Sequence, residues 1–358
     1  MNYIKKRINI NSLEVGMELA SHALTSNGLI LIPSNTIIDE NYIFKLNLYQ
    51  IFFVDIKEYI NEDSDENYDN DEDPQFLPKF TEFKKNYDES KELISTQLNN
   101  ISAGGNININ DLFTISNKLV KSIKTKSELF NYLNHLKSKD EYTYSHSLNV
   151  SMLCNIFGQW LHLDSNEIEK LTVAGLLHDI GKLSIDKDII NKPGSLTVME
   201  FDIIKQHPQI GFDIVKDLDI PEEIKMGILM HHEKIDGSGY PLGVKDNKIH
   251  DFAKIISIAD IYDAMTSIRS YHDKTSPFKV IRLFEQESYG LLDTKYLFVF
   301  LENIAYNYLH RKVRLSNGEE GKIIFIHPTC PSKPIVDVGI AIIDMQDEAN
   351  LFIEEILK

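Results

Sequence analysis

Apolar residues recur at two different periods along this chain, and each change of period marks a boundary. Between residues 3 and 56 they come in short runs: Leu29-Ile30-Leu31-Ile32 directly after Asn27-Gly28, and Ile51-Phe52-Phe53-Val54 further on. Asn-Gly beside an apolar run signals a hairpin, because its backbone suits the tight turns that join antiparallel strands. This segment reads as a small β-rich module with one helix near Glu40–Leu48. From residue 80 the spacing becomes helical, with Leu129, Tyr132, Leu133 and Leu136 on one face. Between 140 and 310 helical patterning dominates; Val150, Leu153, Phe157 and Trp160 fall at i, i+3, i+7 and i+10 of a single helix. Residues 311–358 return to short runs, with Asn317-Gly318 ahead of Lys322-Ile323-Ile324-Phe325-Ile326. The expectation is a mainly α protein, an all-helical domain flanked by small β-rich N- and C-terminal modules, with no repeat of fixed period.

Charge sharpens the division. The chain carries a net charge of −17, and eight acidic residues with no basic ones lie between Asn61 and Asp73. That stretch, ending in Pro74 and Pro78, is too polar and too uniformly charged to bury itself, so 57–79 is expected to be a flexible acidic linker. The parts are then a β-rich module at 1–56, the linker, a helical connecting segment at 80–139, a helical domain at 140–310 and a second β-rich module at 311–358. An acidic surface is a poor partner for DNA or RNA, whose backbones are bound by Lys and Arg. A small anionic substrate stays compatible, because metal ions reverse the sign of a pocket. No apolar run approaches the ~18 residues of a membrane span, and the opening residues lack the apolar core of a signal peptide. Two cysteines, Cys154 and Cys330, make neither a disulfide framework nor a thiolate metal site. The expected compartment is a reducing cytoplasm.

Candidate chemistry lies in the helical domain. His146 opens an amphipathic helix. His178 and Asp179 stand near the end of an apolar helix, with Gly181 expected as its C-cap. His207 follows Ile203-Ile204 and precedes Pro208; His231 and His232 end a helix begun near Glu222; Asp260 interrupts the apolar segment Ile255–Ile261. One buried histidine is ordinarily a hydrogen-bonded core residue. Such insertions would each need a separate buried partner, which a shared metal centre supplies at once. Imidazole and carboxylate without thiolate suit iron, manganese or zinc. Two such metals can share a carboxylate and a water-derived hydroxide, lowering the pKa of water and offsetting charge on a phosphoryl oxygen. Lys182, about one turn past His178, faces the same mouth and can donate to a phosphate. Cys154 reads as a small core residue.

Assembled in order, these residues resemble the HD-GYP family, a branch of the HD phosphohydrolase superfamily, over about 140–310. The motifs are His146-Ser147, Leu177-His178-Asp179-Ile180-Gly181-Lys182, Asn191-Lys192-Pro193-Gly194, Lys205-Gln206-His207-Pro208, the run from His231 through Gly239-Tyr240-Pro241, and Ala259-Asp260 with its sequel to Ser267. The resemblance implies hydrolysis of cyclic di-GMP to pGpG and onward to GMP, by attack of a metal-bridging hydroxide on phosphorus. It implies His146, His178, Asp179, His207, His231, His232 and Asp260 as ligands of two divalent ions, iron or manganese, with Asp179 bridging. Lys182 and Arg269 resemble phosphate contacts, and Gly239, Tyr240 and Pro241 the loop that shapes the pocket mouth. The flanking modules resemble small β domains that accompany this family and carry no catalytic cluster. Two other functions stand beside the first: a catalytically weak nucleotide-binding or regulatory module, and a hydrolase of another cyclic dinucleotide such as cyclic GMP-AMP. A homodimer and other signalling proteins are further partners that such a module admits.

Two departures from the family pattern carry expectations. Where members with three metals have a Glu, four residues before the first histidine, this chain has Tyr142; two metals are therefore expected, with Glu141 or Asp263 as the residues able to supply a third site. Where the family has a permanent cation after the conserved arginine, this chain has His272. An ordinary imidazole titrates near 6.5, so substrate binding is expected to strengthen as pH falls toward about 6. His272→Lys should flatten that rise in a binding titration, and His272→Ala with unchanged affinity at every pH would remove His272 from the site.

Overall fold

The computed structural model describes residues 3–10, 13–25, 29–49, 51, 53–59, 76–136, 142–190, 192, 197–267 and 276–357. Most of the acidic segment, the Asn27-Gly28 turn, Glu141, Arg269 and His272 lie outside the described residues. In the N-terminal module β1 (Tyr3–Asn9) precedes a hairpin of β2 (Ala23–Leu24) and β3 (Ile30–Ile32), then α1 (Glu40–Leu48) and β4 (Phe53–Tyr59). The hairpin and the helix fall where the sequence pattern puts them; Ala23 pairs with Ile32 and Leu24 with Ile30. The main sheet pairing is longer in range, antiparallel β1 with β4 from Tyr3↔Tyr59 to Asn9↔Phe53. α1 starts where the Asp39 carboxylate accepts from the Tyr42 N–H at 2.8 Å, satisfying a donor that the first turn leaves open.

Three helices, α2 (Phe76–Ser102), α3 (Ile109–Ser122) and α4 (Lys126–His135), lead into α5 (Tyr142–Trp160) and α6 (Ser165–Leu177). The sequence treats 80–139 as a connecting segment. In the fold, α2 and α3 both pack on α5, and α3 also on α6, so this segment belongs to the same helical core. Val150, Leu153, Phe157 and Trp160 are buried as expected, and so are Met152, Cys154 and Ile156. α5 is covered on every side, the condition of a central helix. Two of its buried polar residues find partners near by: Ser151 donates to the Leu148 carbonyl at 2.7 Å, and Asn155 to Thr172 of α6 at 3.1 Å.

Beyond α6 come α7 (Lys187–Ile190), α8 (Val198–Ile204), α9 (His207–Val215), α10 (Glu222–Met230), α11 (Asp251–Ser267), α12 (Pro277–Glu287) and α13 (Thr294–Tyr306). A five-stranded antiparallel sheet closes the chain: β5 (Lys312–Leu315), β6 (Glu320–Phe325), β7 (Ile335–Asp337), β8 (Ile342–Asp344) and β9 (Ile353–Ile356), in the order β8-β7-β6-β5-β9. The fold is thus mainly helical with β-rich modules at both ends. Neither module hangs free. α1 packs on α11 and α12, with Asn47 Nδ2 3.5 Å from Met265 Sδ and the Glu40–Lys279 pair at 2.6 Å. At the other end, half-buried Glu285 of α12 accepts from the Ser332 N–H at 2.9 Å and from its hydroxyl. Among the described residues, no helix is long and apolar enough to cross a membrane.

The expected role of Gly181 needs correction. α6 ends at Leu177 with His178 as its C-cap, and Gly181 lies inside a 3-10 turn, Ile180–Ser184. Gly181 is not among the glycines of positive φ. Its reason is space: a Cβ there would stand 2.0 Å from the His207 carbonyl and 2.6 Å from the Gly211 nitrogen. Both neighbours are backbone of α9, so no side chain can swing aside. Gly181→Ala is expected to push α9, and His207 with it, away from the turn, at a cost of about 3 kcal/mol. Chemical denaturation would read this directly, and a variant as stable as the parent would refute the close-approach account.

Candidate metal centre

Three of the histidines stand where a helix runs out. The last carbonyls of a helix have no partner in the next turn, and here imidazoles take them. His178 Nδ1 donates to the Gly175 carbonyl at 2.7 Å, His207 Nδ1 to Ile204 at 2.8 Å and His231 Nδ1 to Ile228 at 2.7 Å, each three residues back. Those bonds fix the tautomer and turn each Nε2 inward. All three rings are completely buried.

The Nε2 atoms converge on Asp179, itself buried beside His178. Its Oδ1 lies 3.2 Å from His207 Nε2 and 3.9 Å from His231 Nε2. Its Oδ2 lies 3.4 Å from His178 Nε2, 3.7 Å from His146 Nε2 and 2.6 Å from Lys182 Nζ. One carboxylate therefore faces two groups of donors with different oxygens. Asp179, His207, His231 and His232 form one group and His146, His178 and Asp179 the other, with ligand atoms in each group within 4.8 Å of one another. Asp260, on α11, joins them: Oδ1 is 3.0 Å from His146 Nε2 and Oδ2 is 3.9 Å from His232 Nδ1. All seven residues expected from the sequence are thus brought to one buried place.

The donor set fits metal ions better than it fits protons. His207 Nε2 and His231 Nε2 face each other at 3.2 Å, and with both Nδ1 atoms committed as donors, both present lone pairs. Burial holds the pKa of His207 below the ordinary value and that of His231 well below it. His232 is driven the same way by burial and by His231. Two facing lone pairs that refuse a proton need another cation. Asp179 would be raised by burial, yet the Lys182 ammonium beside it keeps it well below the usual carboxylate range, so it stays ionised. His178 Nε2 has no hydrogen-bond partner among the described residues, an open ligand position in a buried site.

His146 is held differently. It sits within α5, where neighbouring carbonyls are used by the helix ladder, and its Nδ1 bonds Asp263 Oδ2 at 2.7 Å. Asp263, expected at most as a spare ligand, instead orients a ring. Asn149 Nδ2 donates to the other Asp263 oxygen at 2.9 Å, and the Tyr87 hydroxyl donates to Asn149 Oδ1 at 2.7 Å. The sequence signal for the first two was available: Asp263 follows Asp260, and Asn149 follows His146, by one helical turn on otherwise apolar helices.

The Gly239-Tyr240-Pro241 loop covers the histidines. Gly239 is required by close approach, since a Cβ would meet Lys234 N at 2.4 Å and the His232 carbonyl at 2.5 Å. The Tyr240 ring lies 5.0 Å from the His232 ring and 6.5 Å from that of His207. Pro241 follows a cis peptide bond. Glu233, which sequence reasoning passed over, pins the loop: its buried carboxylate accepts from the N–H groups of Leu242 at 2.6 Å, Gly243 at 3.2 Å and Val244 at 3.2 Å. Lys182 reaches the cluster as expected, with its ammonium on Asp179.

Residues 125–294 match the model of the HD domain. A cyclic di-GMP phosphodiesterase of Pseudomonas aeruginosa is 35% identical over 204 residues, covering 57% of this chain and 49% of that protein. One from Thermotoga maritima is 35% identical over 179 residues, covering 49% and 48%. A 3'3'-cGAMP-specific phosphodiesterase of Vibrio cholerae is 33% identical over 171 residues, covering 48% and 40%. This chain spans about half the length, or less, of these curated relatives. A solved HDG"Y"P protein from Bdellovibrio bacteriovorus superposes with a TM-score of 0.51 at 14% identity, over 85% of this chain and 99% of that one. The helical centre is an HD domain. Its Gly-Tyr-Pro loop and ordered histidines follow the HD-GYP pattern that the sequence resembles.

One consequence concerns protonation. Burial works against charge on His146, but hydrogen bonds and charge from Asp260 and Asp263 lift its pKa to about 10. A pKa raised above 6.5 means that the ion pair contributes its full stability below about 6.5 and loses it as pH rises through about 10. In metal-free protein at pH 8, imidazole nitrogen shifts should therefore report His146 as doubly protonated and His207, His231 and His232 as neutral. A neutral His146 at that pH would contradict the pairing described.

Proposed function

We propose that this protein is a metal-dependent phosphodiesterase that hydrolyses cyclic di-GMP to pGpG and onward to GMP. The observation that carries the reading is the shared carboxylate: Asp179 turns one oxygen to His207 and His231 and the other to His146 and His178. We assign one ion to His146, His178 and Asp179, a second to Asp179, His207, His231 and His232, and place Asp260 between the two groups. Iron or manganese suits this imidazole–carboxylate set. When bound, such ions would lower the pKa of water and offset the charge that builds on a phosphoryl oxygen.

The chain's own residues supply the rest. The backbone carbonyls at three helix ends hold the rings in one tautomer. Glu233 holds the loop that carries Tyr240, whose ring roofs the His232 side and limits water there. Lys182 stands beside Asp179 with its side chain 19% exposed, so its ammonium can turn toward a phosphate at the mouth. Arg269 and His272 are assigned to the same task from the sequence. The other cyclic dinucleotides are a second reading, favoured by one observation: relatives named as cGAMP-specific phosphodiesterases match at 32–33% identity. The retention of all seven ligand residues favours an active enzyme over a regulatory remnant. A reducing cytoplasm suits the two free thiols.

The test is to load the protein anaerobically with iron or manganese, count metals, and separate the products formed from cyclic di-GMP and from cGAMP. About two ions per chain are expected; a reproducible three would overturn the two-ion assignment. Asp179→Ala should lose metal and turnover together while the helical signal persists, and full turnover in that variant would sink the bridging role. Lys182→Ala should keep its metal and lose about 100-fold in turnover, the scale of removing one preorganised donor. Loss of metal instead would show that Lys182 serves Asp179 alone.

A further inference from the structure

His146 differs from His178, His207 and His231 in having no spare carbonyl to grip, and the consequence runs out of the domain. Its Nδ1 needs a side-chain acceptor, which is Asp263. A carboxylate buried to 1% exposure needs a second donor, which is Asn149. With its amide nitrogen given to Asp263, Asn149 must turn its oxygen away, and that oxygen meets the hydroxyl of Tyr87 at 2.7 Å. The hydroxyl also lies 3.1 Å from the Ser145 carbonyl, but Asn149 Oδ1 is the nearer acceptor, and all four residues of the chain are at most 5% exposed. Tyr87 belongs to α2, which ends at Ser102, well before the HD-domain match begins at residue 125.

We propose that Tyr87 is a positioning residue of the metal centre, acting through Asn149 and Asp263 on the orientation of His146. The inference rests on the metal-centre reading given above and adds to it a residue from outside the matched domain. α2 is then more than a connecting helix, because one of its hydroxyls terminates the hydrogen-bond chain that aims a ligand. Partners beyond the ligand shell tune metal affinity by about 10–100-fold when removed. Tyr87 stands two links further out than Asp263's own contact with the ring, so its effect belongs near or below the lower end of that range.

The experiment is competition for manganese(II) against a chromophoric chelator, using the full chain, at one pH. Four proteins are compared: the parent, Tyr87→Phe, Asp263→Asn and the double variant. Ile94→Val, at a fully buried position of the same helix, serves as a control for a weakened α2. Tyr87→Phe keeps the ring and removes only the hydroxyl; it is expected to weaken manganese binding by about 3- to 10-fold, with Ile94→Val indistinguishable from the parent. In the Asp263→Asn background the Tyr87 effect should vanish, since coupled sites do not add. Parental affinity in Tyr87→Phe, an equal loss in Ile94→Val, or an undiminished loss in the double variant would each overturn the proposal. If Asp263→Asn fails to fold, the comparison of Tyr87→Phe with Ile94→Val decides alone. A parent protein that binds no manganese would overturn the metal-centre reading itself, which is a different result from unequal binding among variants.

Discussion

The bond on which the rest of the site depends is the one between an imidazole Nδ1–H and a carbonyl at the end of a helix. It occurs at His178, His207 and His231, always to the residue three positions earlier. A helix end must find partners for its last carbonyls, and a buried imidazole must find an acceptor for its N–H. Each requirement satisfies the other, and the by-product is an Nε2 lone pair with a fixed direction. α6, α8 and α10 therefore end where they do with three lone pairs aimed at one volume. The close approach of α9 to the 3-10 turn at Gly181, where no Cβ fits, sets how far His207 stands from Asp179.

That geometry creates an electrostatic problem that the chain itself only partly solves. The Asp179 side chain is 1% exposed and that of Asp260 15%, and burial alone would raise both. Lys182 holds the first low, and His146 holds the second low. The positive charge available is thus spent on two carboxylates, while His207, His231 and His232 stay neutral with their lone pairs turned inward. Cations at the centre would satisfy both populations at once, and the overall charge of −17 has no bearing on that local balance, since exposed charges beyond about 10 Å are largely screened.

Much of the site is legible in the residues, and the parts that are not have physical reasons. An imidazole or carboxylate inside an apolar stripe is costly, so His146, His178, His207, His231, His232 and Asp260 stand out in the sequence alone. α1 falls on its expected residues because Asp39 caps it and its apolar face is regular. The β1–β4 pairing cannot be read, because register across some fifty residues leaves no local trace. Gly181 departs from its expected role because sequence distinguishes poorly between a glycine needed for positive φ and one needed for close approach. Tyr87 gives no signal at all: a tyrosine on an amphipathic helix packs the same way whether or not its hydroxyl has a task.

α11 shows why ligand and scaffold cannot be separated in this fold. Ile255, Ile256, Ile258, Ala259, Ile261, Tyr262 and Met265 are all buried, so the helix is surrounded by protein rather than laid on a surface. A helix in that position tolerates polar residues only where partners await them. Asp260 and Asp263, one turn apart, both meet His146, one at each ring nitrogen. The ring is thereby clamped between two carboxylates of one helix, and the spacing of α5 from α11 is set by an imidazole's width. α1 of the N-terminal module rests on the same helix near Met265, two residues beyond Asp263. Removing either carboxylate would leave the remaining polar groups buried without their partners, a cost that falls on the packing of α5, α11 and α1 together and not on ligation alone.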